Sequence, residues 1–260
     1  MAQVVGVVNQ KGGVGKTTTA VNIAAALCAA QQRVLLVDCD AQGNATTGLG
    51  GDKTAQENHL YDLLIGACGW KQAARSIIPG LSLISSTPHL SGVEVELATL
   101  DGWETKLREA LQGAGDHYDV IILDSPPSLG MLTVNILTAV DYVLVPLQCE
   151  FYALEGLSQL WRTLQITRKR LNPELEVLGI VLTMFDKNLD LNKQVANEVR
   201  THFEELVCTS VIPRDVRMGE SPSFARPVLW YGSDTSGAKA YLKLGNELMQ
   251  RLSLDPMGTA

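Results

Sequence analysis

The chain has 260 residues, of which 46% are hydrophobic, enough to bury the core of one large α/β domain and to exclude disorder along most of its length. Its net charge of −7 by itself argues against a nucleic-acid binder, since phosphate contacts need lysine and arginine. The charge is uneven, however: residues 1–150 carry 8 Lys and Arg against 15 Asp and Glu, whereas residues 151–260 carry 13 of each, so a local basic face is expected in the second half.

The run from Val4 to Val8 predicts a first strand, followed by a glycine-rich turn and an alanine-rich helix from about Lys16 to Ala30. Strands are predicted at Arg33–Val37, Leu81–Ile84, Val120–Leu123, Tyr142–Val145 and Val177–Thr183, with helices at Trp103–Gln112 and Leu154–Leu171. The second of these helices ends in Arg168, Lys169 and Arg170, cations suited to a helix C-terminus. Runs such as Val120–Leu123 are apolar on both faces, as a parallel strand covered by helices on each side requires. A doubly wound, mostly parallel α/β sheet in a single domain over residues 1–253 is therefore expected, with residues 254–260 as a loose tail.

Five cysteines without a C-x-x-C pair indicate reduced thiols rather than a disulfide framework or a zinc ribbon. No signal-length or membrane-spanning apolar segment is evident, so a cytoplasmic protein is expected. The four histidines have no metal-ligand spacing.

Lys11-Gly12-Gly13-Val14-Gly15-Lys16-Thr17-Thr18 carries the strongest chemical signal, lying between a strand and a helix as phosphate binding demands. The glycines let backbone N–H groups curl around phosphate oxygens, Lys16 supplies a charge at the β- and γ-phosphates, and the Thr17 hydroxyl can ligate Mg²⁺. The usual G-x-x-x-x-G-K-[ST] spacing would put its first glycine at position 10, which is Gln10, and an additional lysine stands at Lys11. Asp38 and Asp40 follow the second predicted strand on the side of an open sheet where ligands sit. Asp124 ends the apolar run Val120–Leu123 in the manner of a Walker B acid, and Pro126 and Pro127 stiffen the segment beyond it.

These motifs together resemble the ParA/Soj partitioning ATPases of the ParA/MinD superfamily, whose P-loop is a deviant Walker A box. The resemblance extends from Val4 to about Leu252. It implies ATP and Mg²⁺ as cofactors and a homodimer in which Lys11 reaches across the interface to the partner's nucleotide. It further implies that Asp40 orients or activates the attacking water, that Asp38 and Asp124 help to hold the magnesium, and that Pro213 borders the adenine. Relatives often have proline where this chain has Ala41, and cysteine where it has Ser125. Arg217 matches a DNA-contacting arginine of the family, and Lys187 a second, weaker DNA-facing position.

The function implied is an ATP-dependent switch that binds double-stranded DNA non-specifically, associates with the nucleoid, and moves a chromosome or plasmid with a ParB-like centromere-binding partner. Related engines position protein cargo or division sites. A MinD-like membrane ATPase would need a basic amphipathic C-terminal helix, which Asp255 and Pro256 oppose, so no membrane partner is expected. A nitrogenase-iron-protein-like reductase would need cluster-binding cysteines that Ser85, Ser86 and Ser125 do not provide. No helix-turn-helix segment precedes the first strand, which fits the short, Soj-like type.

Overall fold

The computed structural model describes residues 2–54 and 58–254. The tail expected over 254–260 lies outside the described residues except for Leu254, whose N–H bonds the carbonyl of Met249.

The described strands, β1 (Gln3–Val7), β2 (Val34–Asp38), β3 (Ala74–Ile78), β4 (Leu81–Ile84), β5 (Val120–Asp124), β6 (Tyr142–Gln148), β7 (Glu176–Phe185) and β8 (Val207–Pro213), form one sheet in the order β3-β4-β2-β5-β1-β6-β7-β8. Only β3 runs antiparallel, as an edge strand hydrogen-bonded to β4. All other neighbours are parallel. All five residues of β2 and of β5 are buried, which explains their unbroken apolar character: parallel strands covered on both faces have no polar side.

Alternate residues feed two cores. Val34 and Leu36 of β2 point to the face covered by α1 (Lys16–Ala29) and the last helix, while Leu35 and Val37 point to the other. That other face is covered by α2 (Met131–Ala139), α3 (Ala153–Arg170) and α4 (Asp190–Phe203). The last helix, α5 (Ser236–Arg251), crosses α1 closely at Gly245, where an added Cβ would come within 2.8 Å of the Ala26 Cβ. The Tyr241 hydroxyl, on the same helix, meets the Thr19 hydroxyl at 3.1 Å inside the core.

Three local expectations are corrected. The region 103–112 is broken into a 3-10 turn at Trp103–Thr105 and a short helix at Lys106–Ala110 rather than one continuous helix. The strands β3 and β8 were not foreseen: ARSII is half exposed at an edge, and VCTSVIP has too few strongly apolar residues to show a period.

Candidate nucleotide-binding site

β1 ends at Val7, and the chain turns over residues 8–15 into the N-terminus of α1. Gly13 (φ +76°) and Gly15 (φ +86°) adopt the left-handed conformation that side chains rarely tolerate, and this curls the loop toward the helix end. The first turn of α1 has no side-chain cap, so the N–H groups of Lys16, Thr17 and Thr18 lie on the uncapped, electropositive first turn. A fourteen-residue helix starting after a glycine turn is a ready anion site.

The loop is gripped from three sides. Asn9 Nδ2 donates to the Pro146 carbonyl (2.8 Å), Thr183 Oγ1 donates to the Val14 carbonyl (2.8 Å), and Gly12 faces Pro127, whose Cβ would stand 3.8 Å from an added Cβ. Thus β6, β7 and the segment after β5 all hold the P-loop.

Lys16 is buried, and its Nζ donates to the Lys11 carbonyl at 3.1 Å. Burial lowers its pKa, and the charges of Asp124 and Asp40 oppose that fall. Lys11, in contrast, is part exposed at the mouth of the loop, with its Nζ 2.6 Å from Glu150 Oε2.

The acids converge from adjacent strands. Asp38 and Asp124 are register partners at the ends of β2 and β5, and Val7 of β1 pairs with Asp124 from the other side. Asp38 accepts from the Thr46 N–H (2.7 Å), the Thr46 hydroxyl (2.7 Å) and the Asp40 N–H (3.2 Å). Burial nevertheless pushes its pKa up to about 6. Asp124 is fully buried and neither carboxylate oxygen has a hydrogen-bond partner. Its pKa is driven well above the carboxylate range by burial and by the Asp38 charge, against weaker pulls from Lys16 and from the nearby Thr17 hydroxyl, which falls short of hydrogen-bonding geometry. Asp40 stands in a turn, its Oδ1 accepting from the Gln42 N–H at 2.9 Å, near enough to Lys16 for its charge to act there.

Two adjacent buried carboxyls, one of them without a donor, make a site that favours a cation. Among the described residues no three His, Cys, Asp or Glu form a closed metal cage. The fit is therefore to an ion that takes few protein ligands: Mg²⁺ is commonly held by one or two carboxylates together with phosphate oxygens and waters. Thr17 and Asp124 could hold it, with Asp38 the register partner of Asp124 on the neighbouring strand.

Pro213 ends β8 opposite Phe185 of β7 and lines an open cleft of about 1320 Å³ between these strand ends and α5. Lys187 lines the same cleft, together with Arg214, Lys239 and Lys243. Arg214, Lys239 and Lys243 were absent from the expected basic set, although Lys239 and Lys243 are four apart and so share one helix face. Glu247, also in the cleft wall, is engaged by the N–H groups of Thr209 and Ser210 and by Arg251. Arg217 stands apart from this wall. Asp215 caps its short helix (Val216–Glu220) and also accepts from Ser236 and Gly237 at the start of α5. The Arg217 guanidinium pairs with Glu220 at 2.9 Å and lies 5.9 Å from the centre of the Tyr231 ring.

Glu150, Thr46 and Thr183 also build the site, and sequence reasoning missed them: Glu150 and Thr183 act on partners 139 and 169 residues away, and Thr46 acts by bonding Asp38, eight residues back.

A family model described as "AAA domain" matches residues 2–177. The chromosome partitioning protein ParA of Caulobacter vibrioides is 50% identical over 252 residues, covering 96% of this chain and 94% of that protein. The sporulation initiation inhibitor protein Soj of Bacillus subtilis is 45% identical, covering 95% of this chain and 98% of its own. Among solved structures, cobyrinic acid a,c-diamide synthase of Mycobacterium smegmatis with bound ADP and magnesium superposes with a TM-score of 0.86 at 35% identity, over 98% of this chain and 96% of that chain. On this similarity, sustained over nearly the whole length, the chain belongs to the ParA/Soj family of chromosome-partitioning ATPases.

Proposed function

We propose that this protein is an Mg²⁺-dependent ATPase that dimerises around ATP, binds duplex DNA without sequence preference in that state, and lets go on hydrolysis, partitioning DNA with a ParB-like partner. The observation that carries the reading is the junction of an uncapped helix N-terminus with the buried, donor-less Asp124 beneath it. Phosphates supply the negative charge that the helix end and Lys16 favour, and Mg²⁺ supplies the positive charge that Asp124 and Asp38 favour.

In this reading Lys16 leaves the Lys11 carbonyl for the β- and γ-phosphates. Asp40, half-buried in its turn and near Lys16, positions the attacking water. Mg²⁺ held by Thr17 and Asp124, with Asp38 beside them, would supply positive charge against the phosphates. Lys11, at the mouth of the loop, contributes its charge to the nucleotide of a second subunit. The expected DNA surface comprises Arg217 and the basic cleft with Lys187, whose contacts to phosphate oxygens carry no sequence information. Nucleoid association follows from that binding. Among the described residues no helix is long and apolar enough to cross a membrane.

The test is duplex-DNA binding at low and moderate salt with ATP, ADP or no nucleotide, in the wild type and in Asp40→Ala. Binding that needs ATP, persists in Asp40→Ala and weakens with salt supports the reading. Should no nucleotide state bind DNA while ATP is hydrolysed, the engine drives a protein cargo instead.

A further inference from the structure

Asn22, in the second turn of α1, is buried, and its amide is engaged at both ends. Its Nδ2 donates to the Thr18 carbonyl in the first turn (2.8 Å), and its Oδ1 accepts from the N–H of Val228 (2.8 Å), 206 residues further along the chain. An amide suits the position because one partner needs a donor and the other an acceptor. Val228 opens the short helix Val228–Tyr231, so its N–H has no partner inside that helix, and Pro227 before it provides no side-chain cap. Asn22 caps the helix from outside, and Val228 is fully buried, which shields the bond from water.

The capped helix ends at Tyr231, about one turn beyond Val228, and Tyr231 meets Arg217. Arg217 Nη1 donates to the Tyr231 hydroxyl (3.5 Å), that hydroxyl donates to Glu220 Oε2 (3.2 Å), and the guanidinium lies 5.9 Å from the ring centre. Phe224 stacks on the same ring at 4.8 Å. The Arg217 side chain is 57% exposed on a helix of five residues, so its long stem is free to sample many rotamers unless neighbours restrict it. Glu220 lies on that same short helix and moves with it. Tyr231 comes from a separate segment, and the hydrogen bond from Asn22 ties the start of that segment to α1.

We propose that Asn22 is a positioning residue for Arg217: by fixing Val228 to α1 it sets where Tyr231 stands, and Tyr231 holds the guanidinium in the orientation that meets a phosphate oxygen. This rests on the reading of Arg217 as a DNA contact and adds to it a buried residue that touches no DNA itself. The link starts at the Thr18 carbonyl, so the Arg217 surface is referred to the same helix turn that carries Lys16 and Thr17. An arginine ordered before it binds gains about two- to ten-fold in affinity over a mobile one, and that factor is what the Asn22 link supplies.

The experiment is a double-mutant cycle on the full chain, with affinity for a random-sequence duplex read by fluorescence anisotropy in Mg²⁺ and a non-hydrolysable ATP analogue. Asn22→Ala and Val228→Pro delete the same hydrogen bond from opposite sides, the second at a first helical position that tolerates proline, so either variant that folds carries the test. Each should bind the analogue within about two-fold of the wild type and the duplex about two- to ten-fold more weakly. In an Arg217→Ala background neither should weaken duplex binding further. Unchanged duplex affinity in the variants overturns the inference. So does a loss of equal size with and without Arg217, which reports a general structural defect. If Arg217→Ala alone binds the duplex as the wild type does, the inference falls while the basic cleft keeps its role. A wild type that binds the analogue but no duplex removes the DNA reading, and the inference goes with it.

Discussion

Asp38 and Asp124 stand side by side at the carboxyl ends of β2 and β5, both fully buried, yet Asp38 receives three hydrogen bonds and Asp124 none. This asymmetry makes Asp124 a liability to the nucleotide-free protein. Its folded-state pKa lies above the unfolded value, so the folded protein binds the proton first, and stability falls as pH rises from the unfolded pKa through the folded one. Asp38, pushed up to about 6, acts in the same direction between about pH 4 and 6. In EDTA, Asp124→Asn should melt higher than the wild type at pH 7.5, by about 2–6 °C, and the gain should shrink toward pH 5. Differential scanning fluorimetry across pH checks this; a variant less stable than the wild type at pH 7.5 contradicts it.

Lys16 contributes little to folding, because its burial is costly and its one hydrogen bond goes to the loop's own Lys11 carbonyl. Lys16→Ala should therefore melt within about 2 °C of the wild type without nucleotide. Saturating MgATP at about a hundred times Kd should stabilise the wild type by about 2.7 kcal/mol and leave the variant unmoved. A variant that retains both the thermal shift and phosphate release would remove Lys16 from the site.

The pairing of Arg217 with Glu220 predicts that DNA affinity is held down in cis. Glu220→Gln should strengthen ATP-dependent duplex binding about two- to five-fold at low salt, and Arg217→Glu should weaken it. Replacing Arg214 or Lys239 in the cleft should lower the slope of log affinity against log salt by about 0.9 for each phosphate no longer neutralised. Fluorescence anisotropy over a salt series reads both effects, and an unchanged slope would take the cleft out of the DNA surface.

Packing of α5 on α1 is tightest at Gly245, and Gly245→Ala should cost about 1–3 kcal/mol, since the Ala26 Cβ cannot move without disturbing α1. Urea unfolding measures it, with a shifted midpoint and an unchanged m-value expected. Because α1 begins at the P-loop, the variant should also bind ATP more weakly.

Much of the nucleotide site was legible because its motif is local. Lys11 to Thr18 occupy one turn and one helix start, and the acids at 38 and 124 follow apolar runs whose unbroken character already marked buried parallel strands. The glycine spacing, the additional lysine and the strand-loop-helix order are all properties of contiguous sequence. The edge strand β3 and the strand β8, whose apolar residues are interrupted by Thr209 and Ser210, were not legible, because their conformation is imposed by a neighbour's hydrogen bonds rather than by an apolar period.

What the sequence determined by itself was the set of groups able to handle phosphate and magnesium, since backbone turns and helix ends are short-range structures. What only the tertiary structure decided was how those groups are partnered: Asp38 satisfied by Thr46 and Asp124 left bare, Lys11 held by a glutamate 139 residues away, and Arg217 tied to Glu220 while Lys239 and Lys243 join Lys187 at the cleft. Charge and hydrogen-bond partners are chosen by distance in space. In a parallel sheet ordered β2-β5-β1-β6, the residues that meet at the strand ends come from far apart along the chain.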